Sequence, residues 1–405
     1  MSGRPGSTGS SQLLFALIGL VCFALYSYLL VSLDPTNDLT IYRAAGRAVA
    51  GGGDPYSVGN TTEYRGLGAV DWRYLYPPLL ATLLSLFEMH EDYVLRYLWW
   101  VWSAVTAFAL VVTVRILREL KGDHRSKVVV GLALLIAAWP VTIDGIERGQ
   151  INIWITALIG VWCLPLIRSP SLRSSSHYQT LLGGAGAAVA LATQLKVTPL
   201  ILALPYLKRG SEHFWRAFFM VSCVSIALSW WIGGSEVWVF YLQSLSAISL
   251  GSDGWVSPEN LSISKLLVGM IPSLSRSEAL VAQSLIMVSA VLAFCAARVK
   301  GYWSNQQFAF VLVVVLAHLS PIVWYHHFVW LLFPIIFAWR GSGIFLRSIL
   351  LITGIGASLY RLVESGLVPS DGFSRQILLV EPVLWMAFCS VLVLGIGRST
   401  RLSAE

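Results

Sequence analysis

The chain has 405 residues, of which 56% are hydrophobic and only 12% are charged, and its mean hydropathy is +0.70. Soluble domains carry about 25% charged residues, so this composition excludes a water-soluble globular protein and indicates an all-α polytopic membrane protein. The net charge of +7 does not indicate nucleic-acid binding, because the basic residues are distributed by membrane topology.

The chain begins with a Gly/Ser-rich segment, residues 1–12, that is predicted to be a disordered tail. The first apolar run, 13–33, is long enough to cross a membrane, and no small-residue cleavage site follows it. It is therefore read as a retained first span rather than a cleaved signal peptide.

The first outer loop, 34–93, is polar in its first part and is predicted to contain interfacial helices. Residues 39–50 have a helical pattern, and the Gly/Pro-rich run 51–55 ends it. The apolar stretch 77–88 is too short to span, so it predicts a helix lying half-embedded at the interface.

The remaining apolar runs complete a single catalytic membrane domain, 13–397, of about ten to thirteen embedded helices, followed by a cytoplasmic tail at 398–405. The runs 195–207 and 328–339 are short enough to tilt or re-enter, and 260–272 is read as a further interfacial or re-entrant piece. The predicted spans lie at 94–114, 128–141, 151–167, 178–194, 195–207, 217–232, 279–297, 306–322, 328–339, 346–363 and 376–397.

The basic residues orient these spans. With the N-terminus inside, more than half of the 28 Lys and Arg residues fall in short cytoplasmic loops, as the positive-inside rule requires. Most acidic residues fall outside or near the outer boundary. Both termini are thus predicted to be cytoplasmic, and the active site to face the periplasm or exterior of the plasma membrane.

The unusual polar residues collect on the predicted outer side, where ionisable groups at a membrane boundary are costly and often functional. Asp38 is a candidate general base toward a hydroxyl, with a helix cap as its alternative role. It is favoured over Asp34 because Tyr42 and Arg43 follow it one helical turn later.

Four further motifs lie on this side. Lys196 is placed to neutralise a phosphate or to snorkel toward headgroups, and His326-His327 to contact a phosphate or to form an interfacial turn. Gln150 and Asn152 suit sugar hydroxyls as well as helix capping. Tyr76, ahead of two prolines, marks the start of the half-embedded helix.

Several kinds of chemistry have no motif in this sequence. It contains no Walker loop, no dinucleotide-binding GxGxxG, no GxSxG elbow and no HExxH. No other His, Cys or Glu has zinc-ligand spacing to the histidine pair, so neither a metal nor another cofactor is predicted. The glycine run 183–186 lies inside a span and predicts close helix packing.

In this order, the outer motifs resemble the polyprenyl-phosphate-sugar-dependent glycosyltransferases of the GT-C superfamily. The most similar group is glycosyltransferase family 87 (DUF2029), the bacterial membrane α-1,2-mannosyltransferases. The resemblance rests on Asp38 with Tyr42 and Ala45, Gly53 to Tyr56, Tyr76-Pro77-Pro78, Gly149-Gln150 with Asn152, Lys196 with Pro199, Asn260-Leu261-Ser262, and Ser320-Pro321 through His327.

This resemblance implies a GT-C fold and an inverting enzyme that moves a hexose from a polyprenyl-phosphate-sugar donor to a glycolipid or glycan acceptor. Mannose is favoured, with glucose or a pentose as alternatives. Asp38 matches the catalytic carboxylate. Lys196, His326, His327 and Arg43 would bind the donor phosphate, and Tyr42, Tyr76, Gln150, Asn152 and Asn260 would bind substrate. The alternative function is a transporter or flippase of lipid-linked sugars, although the apolar runs carry almost no polar groups at mid-membrane depth.

Overall fold

The computed structural model describes residues 38–57, 59–64, 68–87, 150–167, 175–207, 210–250, 260–320, 322–341, 349 and 374–398. The predicted tail at 1–12 and the spans at 13–33, 94–114 and 128–141 lie outside these residues. So do all but the first residue of the predicted tail at 398–405 and almost all of the span at 346–363.

The described part of the chain is helical, as predicted, with one short hairpin and two 3₁₀ helices. The elements are α1 (Asp38–Ala50), β1 (Gly59–Tyr64), β2 (Gly68–Arg73), α2 (Pro78–Ser85), α3 (Asn152–Ile167), α4 (Ser176–Leu195), the 3₁₀ helix Thr198–Tyr206, α5 (Glu212–Gly233), α6 (Glu236–Leu250), α7 (Ile263–Met270), α8 (Arg276–Val299), α9 (Asn305–His318), the 3₁₀ helix Tyr325–Leu331, α10 (Leu332–Gly341) and α11 (Ser374–Arg398).

The predicted helices of the first outer loop are present as α1 and α2. Two elements were not predicted. The polar residues between α1 and α2 form an antiparallel hairpin in which Gly59 pairs with Arg73 and Tyr64 with Gly68. The second is α6, which follows a break at Gly234, whose positive φ of 74° favours glycine.

Polar side chains start several of the long helices. Ser275 and Glu278 form a reciprocal capping box at the start of α8, and Ser304 and Gln307 do the same for α9. Each box satisfies backbone N–H groups that have no partner within the helix.

The tightest contact between long helices joins α4 to α5 at Gly186. A Cβ atom added at this glycine would collide with the backbone carbonyl oxygen of Phe214. Only a glycine permits this approach, which confirms the close packing predicted for the glycine run. Beside it, the rings of Tyr206 and Phe214 stack with centroids 4.1 Å apart.

The core of the bundle surrounds α9, which is buried over most of its length. On one side, the Trp162 indole of α3 donates to the carbonyl oxygen of Leu202 at 2.8 Å. On another, the Phe328 and Trp385 rings stack with centroids 4.0 Å apart. The first contact holds α3 against the Thr198–Tyr206 3₁₀ helix, and the second holds the Tyr325–Leu331 3₁₀ helix against α11.

Among the described residues, α5 and α8 are long and apolar enough to cross a membrane. Only 17% and 22% of their most apolar segments are buried within the protein, unlike the core helix of a soluble protein. Apolar residues such as Met220 and Leu285, each 63% exposed, face outward. Such surfaces fit a lipid environment.

The contacts among the described helix ends lie at two opposite ends of the bundle. Gln150 at the start of α3, Lys196 at the end of α4 and His327 lie at one end of the bundle. At the other end, Gln306 donates to the carbonyl oxygen of Leu166 at 2.7 Å and Gln307 to that of Ile396 at 3.1 Å. Gln150, Lys196 and His327, which were predicted to share a side of the membrane, therefore lie together at one end of the described helices.

Candidate active site

The site begins with Asp38, in the first turn of α1, with a half-buried side chain. Tyr42 follows four residues later on the same helical face and is buried. Burial raises the pKa of Tyr42 and Tyr76, and the nearby Asp38 carboxylate raises each of them further. Both tyrosines therefore remain neutral phenols, and Asp38 lies within electrostatic range of both.

Gln150 is the hydrogen-bonding centre of the site. Its side-chain oxygen, Oε1, accepts from the Tyr42 hydroxyl at 3.3 Å, from the Tyr76 hydroxyl at 3.5 Å and from Asn152 Nδ2 at 3.2 Å. This arrangement turns the other amide atom of Asn152, Oδ1, away from Gln150. That oxygen is buried and has no hydrogen-bond partner among the described residues, so it can accept from a ligand hydroxyl.

The turn at 53–56 positions Tyr76. The Asp54 Oδ1 atom accepts from the backbone N–H of Tyr56 at 2.8 Å, which is a typical Asx-turn contact. The Tyr56 hydroxyl then donates to the backbone carbonyl of Tyr76 at 3.0 Å. Tyr74 fixes the next step of the chain, since its hydroxyl donates to the Pro77 carbonyl at 2.9 Å and accepts from Ala81 N at 3.1 Å.

Lys196 closes the other side of the site, in the segment between α4 and the 3₁₀ helix that follows. Its Nζ atom lies 2.6 Å from His327 Nε2, 5.2 Å from the centroid of the Trp330 ring and 5.9 Å from that of Tyr76. Burial lowers the pKa of Lys196 to about 7, and the Asp38 carboxylate opposes this shift. Asp38 is therefore close enough to act electrostatically on both Lys196 and the Tyr76 phenol beside it.

His327 is oriented by two tryptophans of its own segment, Trp324 just before its 3₁₀ helix and Trp330 within it. The backbone N–H of Trp324 donates to its Nδ1 at 3.2 Å, and its ring stacks on Trp330 with centroids 5.2 Å apart. Trp330 lies three residues further on, and residues at this spacing eclipse one another in a 3₁₀ helix.

Asn260 braces the loop that precedes His327. Its side-chain oxygen accepts from Ser262 N and Val323 N, both at 3.0 Å. The backbone of Leu261 also donates to the Val323 carbonyl at 2.7 Å. This loop carries Trp324 and so helps to fix the orientation of the histidine ring.

Comparison with known proteins assigns the chain to a family. The family model of glycosyltransferase family 87 matches residues 74–323, well over half of the sequence. The chain belongs to glycosyltransferase family 87. The predicted family and the enzyme class are thereby confirmed, and this family 87 chain is a membrane-bound glycosyltransferase.

Two relatives add to this assignment. A polyprenol-phosphate-mannose-dependent α-(1-2)-phosphatidylinositol mannoside mannosyltransferase of Mycobacterium tuberculosis is 24% identical over 91% of this chain and 86% of its own length. The apo crystal structure of an Archaeoglobus fulgidus oligosaccharyltransferase has a TM-score of 0.39 and 12% identity, covering 94% of this chain. The chain spans 56% of that second protein, and a likeness at this level carries no argument.

The structure of this family 87 chain brings together most of the residues that the sequence singled out. Asp38, Tyr42, Tyr76, Gln150 and Asn152 form one side of the site, and Lys196 and His327 form the other. Arg43 is half-buried on α1, about 140° around the helix from Asp38, so it does not share a helical face with Asp38 as Tyr42 does. His326 belongs to the same 3₁₀ helix as His327, and its side chain is not among those that the structure describes.

One side chain of this family 87 site, Trp330, was not predicted as a site residue. Trp330, which packs on both Lys196 and His327, lies in an apolar run whose tryptophan is typical of the membrane interface. Its position three residues after His327 is one turn of a 3₁₀ helix, and this spacing is the sequence feature that could have predicted their contact. Gln194, two residues before Lys196, is buried, and its Oε1 has no hydrogen-bond partner among the described residues. Within these residues no cluster of three or more His, Cys, Asp or Glu is placed to hold a metal ion.

Proposed function

We propose that the chain is an inverting mannosyltransferase that uses polyprenyl-phosphate-mannose as donor and a hydroxyl of a lipid- or glycan-linked acceptor. The observation that supports it most is a carboxylate and an amine, Asp38 and Lys196, that act electrostatically on one another in a tyrosine-lined site. The mannosyltransferase relative, named as dependent on polyprenol-phosphate-mannose, supports the donor. Its named acceptor, a phosphatidylinositol mannoside, supports a glycolipid acceptor here.

The proposed reaction uses these groups in a single displacement. Asp38 takes the proton from the acceptor hydroxyl as the acceptor oxygen forms a bond to C1 of the sugar. The bond between C1 and the phosphate oxygen breaks on the opposite face, and its electron pair stays on the phosphate. The configuration at C1 is thereby inverted.

The remaining site residues stabilise and orient the reactants. The phosphodiester of the donor carries one negative charge, and the polyprenyl phosphate that leaves carries up to two. Lys196 and His327 lie where that increase in charge would be stabilised. The unpaired oxygen of Asn152 and the phenols of Tyr42 and Tyr76 suit the hydroxyls of the sugar.

A membrane setting fits this chemistry. The polyprenyl tail of the donor would stay in lipid while its headgroup enters the site, so no nucleotide-binding loop is needed. We place the site on the outer face of the membrane, because the basic loops identify the opposite end as cytoplasmic.

An assay that compares labelled donors, supplied one at a time, tests the proposed function. Membranes containing the full-length chain are given labelled polyprenyl-phosphate-mannose, polyprenyl-phosphate-glucose or GDP-mannose, with a glycolipid extract as acceptor. We expect label to reach the extract from polyprenyl-phosphate-mannose alone. Membranes from cells without the chain are the control for endogenous transferases. Transfer directly from GDP-mannose in the purified protein would overturn the proposed donor class.

A further inference from the structure

The proton positions in the Lys196–His327 pair follow from three contacts. A backbone N–H always carries its proton, so the Nδ1 atom of His327, which receives the Trp324 N–H at 3.2 Å, must be the acceptor. A neutral imidazole has one acceptor and one donor nitrogen. The proton of His327 is therefore on Nε2, the atom that lies 2.6 Å from Lys196 Nζ.

This assignment determines the charge of the lysine. An ammonium group has three donors and no acceptor, so it would place an N–H against the N–H of Nε2. A neutral amine has a lone pair and can accept the Nε2 proton. The 2.6 Å contact is therefore consistent with His327 donating to an uncharged Lys196.

We infer that the empty site holds Lys196 as a neutral amine bonded to His327, and that binding of the donor phosphodiester adds one proton from solvent to this amine. The resulting ammonium can no longer accept from His327, so the pair opens. Both groups then present N–H donors to the phosphate. This inference rests on the proposed function and extends it to how the site recognises its anionic ligand.

The surroundings of Lys196 fit this description. The group that favours its charged form is Asp38 on α1, while Tyr76, Trp330 and His327 contribute two rings and a neutral imidazole. Tyr42 is a neutral phenol beside Asp38. Burial lowers the pKa of Lys196 to about 7, so a large fraction of the lysine is the neutral amine near neutral pH. An arriving phosphate would add a negative charge at contact distance and restore the ammonium.

The arrangement has a functional reason. A half-buried ammonium is costly near the membrane, since among the described residues Asp38 only partly offsets the effect of burial on Lys196. A neutral pair avoids this cost until the ligand supplies the negative charge. The site would then bind phosphodiesters more tightly at lower pH, since the protonated fraction of Lys196 falls as the pH rises through its pKa.

Titration calorimetry of the full-length protein in detergent tests this inference, with the mannosyl phosphodiester of citronellol as the probe and no acceptor. A phosphodiester has no ionisation near neutral pH, so any proton taken up belongs to the protein. Runs in buffers of low and high ionisation enthalpy give the number of protons. We expect uptake of about one proton at a pH of roughly 8 and little at roughly 6, with affinity falling about tenfold between them.

Lys196→Arg is the matched variant, because an arginine keeps its charge at every pH used. It should bind the probe with no proton uptake and no pH dependence of affinity. If it does not fold, Lys196→Met should bind weakly, again without uptake. Tight binding by the wild type without uptake at the higher pH, or equal uptake by the arginine variant, would overturn the inference. No binding of this probe at any pH would instead overturn the proposed donor class and the inference with it.

Discussion

At the residue scale, three hydrogen-bond donors converge on one amide oxygen of Gln150. Two of them come from Tyr42 and Tyr76, which face Asp38, and the third is Asn152. The geometry of the site therefore depends on an atom that touches neither the carboxylate nor the lysine. Gln150 is best described as a positioning residue.

Replacing Gln150 by methionine should disturb the site without changing its charge. The substitution leaves the buried amide of Asn152 and two phenols without their acceptor, which costs about 1–3 kcal/mol of unfolding free energy. Transfer activity should fall with it. Tyr42→Phe is the matched comparison, since it removes a single donor and should lower thermal stability in detergent by less. Equal melting temperatures for Gln150→Met and the wild type would contradict this account.

The residue types of the site could be read from the sequence, but their partners could not. Lys196 and His327 are separated by 131 residues, and Tyr42 and Gln150 by 108. The one prediction that grouped these residues was that they lie on the same, outer side of the membrane. That prediction followed from the distribution of the basic loops. The contacts of Asn260, whose side-chain oxygen is engaged by two backbone N–H groups, are likewise invisible in the sequence.

At the element scale, the position of Lys196 depends on how α4 packs against α5. The closest approach is at Gly186, whose hydrogen faces the Phe214 carbonyl. Gly184 lies on the same helix, and a Cβ atom added there would have Val161 Cγ1 as its nearest neighbour, at 3.8 Å. The two glycines thus differ in the room that each has for a methyl group.

Gly186→Ala should destabilise the protein, whereas Gly184→Ala should not. The first change forces two helices apart, and overpacking of this kind costs about 1–3 kcal/mol. The second fits ordinary contact distance and gains up to about 1 kcal/mol from helix propensity. Thermal unfolding in detergent measures both. A Gly186→Ala protein as stable as the wild type would show that α4 and α5 are further apart than this packing requires.

Long apolar helices were predicted well because their length and composition follow from the membrane. Short elements were harder. The runs at 195–207 and 328–339 each include a 3₁₀ helix, and hydrophobicity alone does not distinguish a 3₁₀ turn from an α-helix. The first strand of the hairpin, Gly59–Tyr64, is glycine and polar residues up to its final tyrosine, and it lacks the apolar alternation typical of strands.

At the scale of the whole molecule, the predicted topology agrees with the way helix ends meet. The candidate site lies at one end of the bundle, and the contacts among Leu166, Gln306 and Ile396 lie at the other. The basic residues Arg298 and Lys300 also belong to that second end. We therefore expect it to face the cytoplasm.

Cysteine labelling in intact cells tests this orientation. In a cysteine-free background, Ser57→Cys and Tyr302→Cys place thiols at exposed positions near the two ends. A membrane-impermeant maleimide should label position 57 and should label position 302 only after the cells are opened. Labelling with the reverse pattern would invert the topology and place the site in the cytoplasm.

The central claim is that Asp38 is the base of a mannosyl transfer, and a matched pair of aspartates tests it most directly. Asp38→Asn removes the proton acceptor, whereas Asp54→Asn, in the same outer loop, keeps the side-chain oxygen that receives the Tyr56 N–H. Labelled mannose transfer from polyprenyl-phosphate-mannose is measured for both variants at equal amounts of folded protein. We expect Asp38→Asn to lose about a hundredfold or more of the activity and Asp54→Asn to retain it. Undiminished transfer by Asp38→Asn would contradict the account.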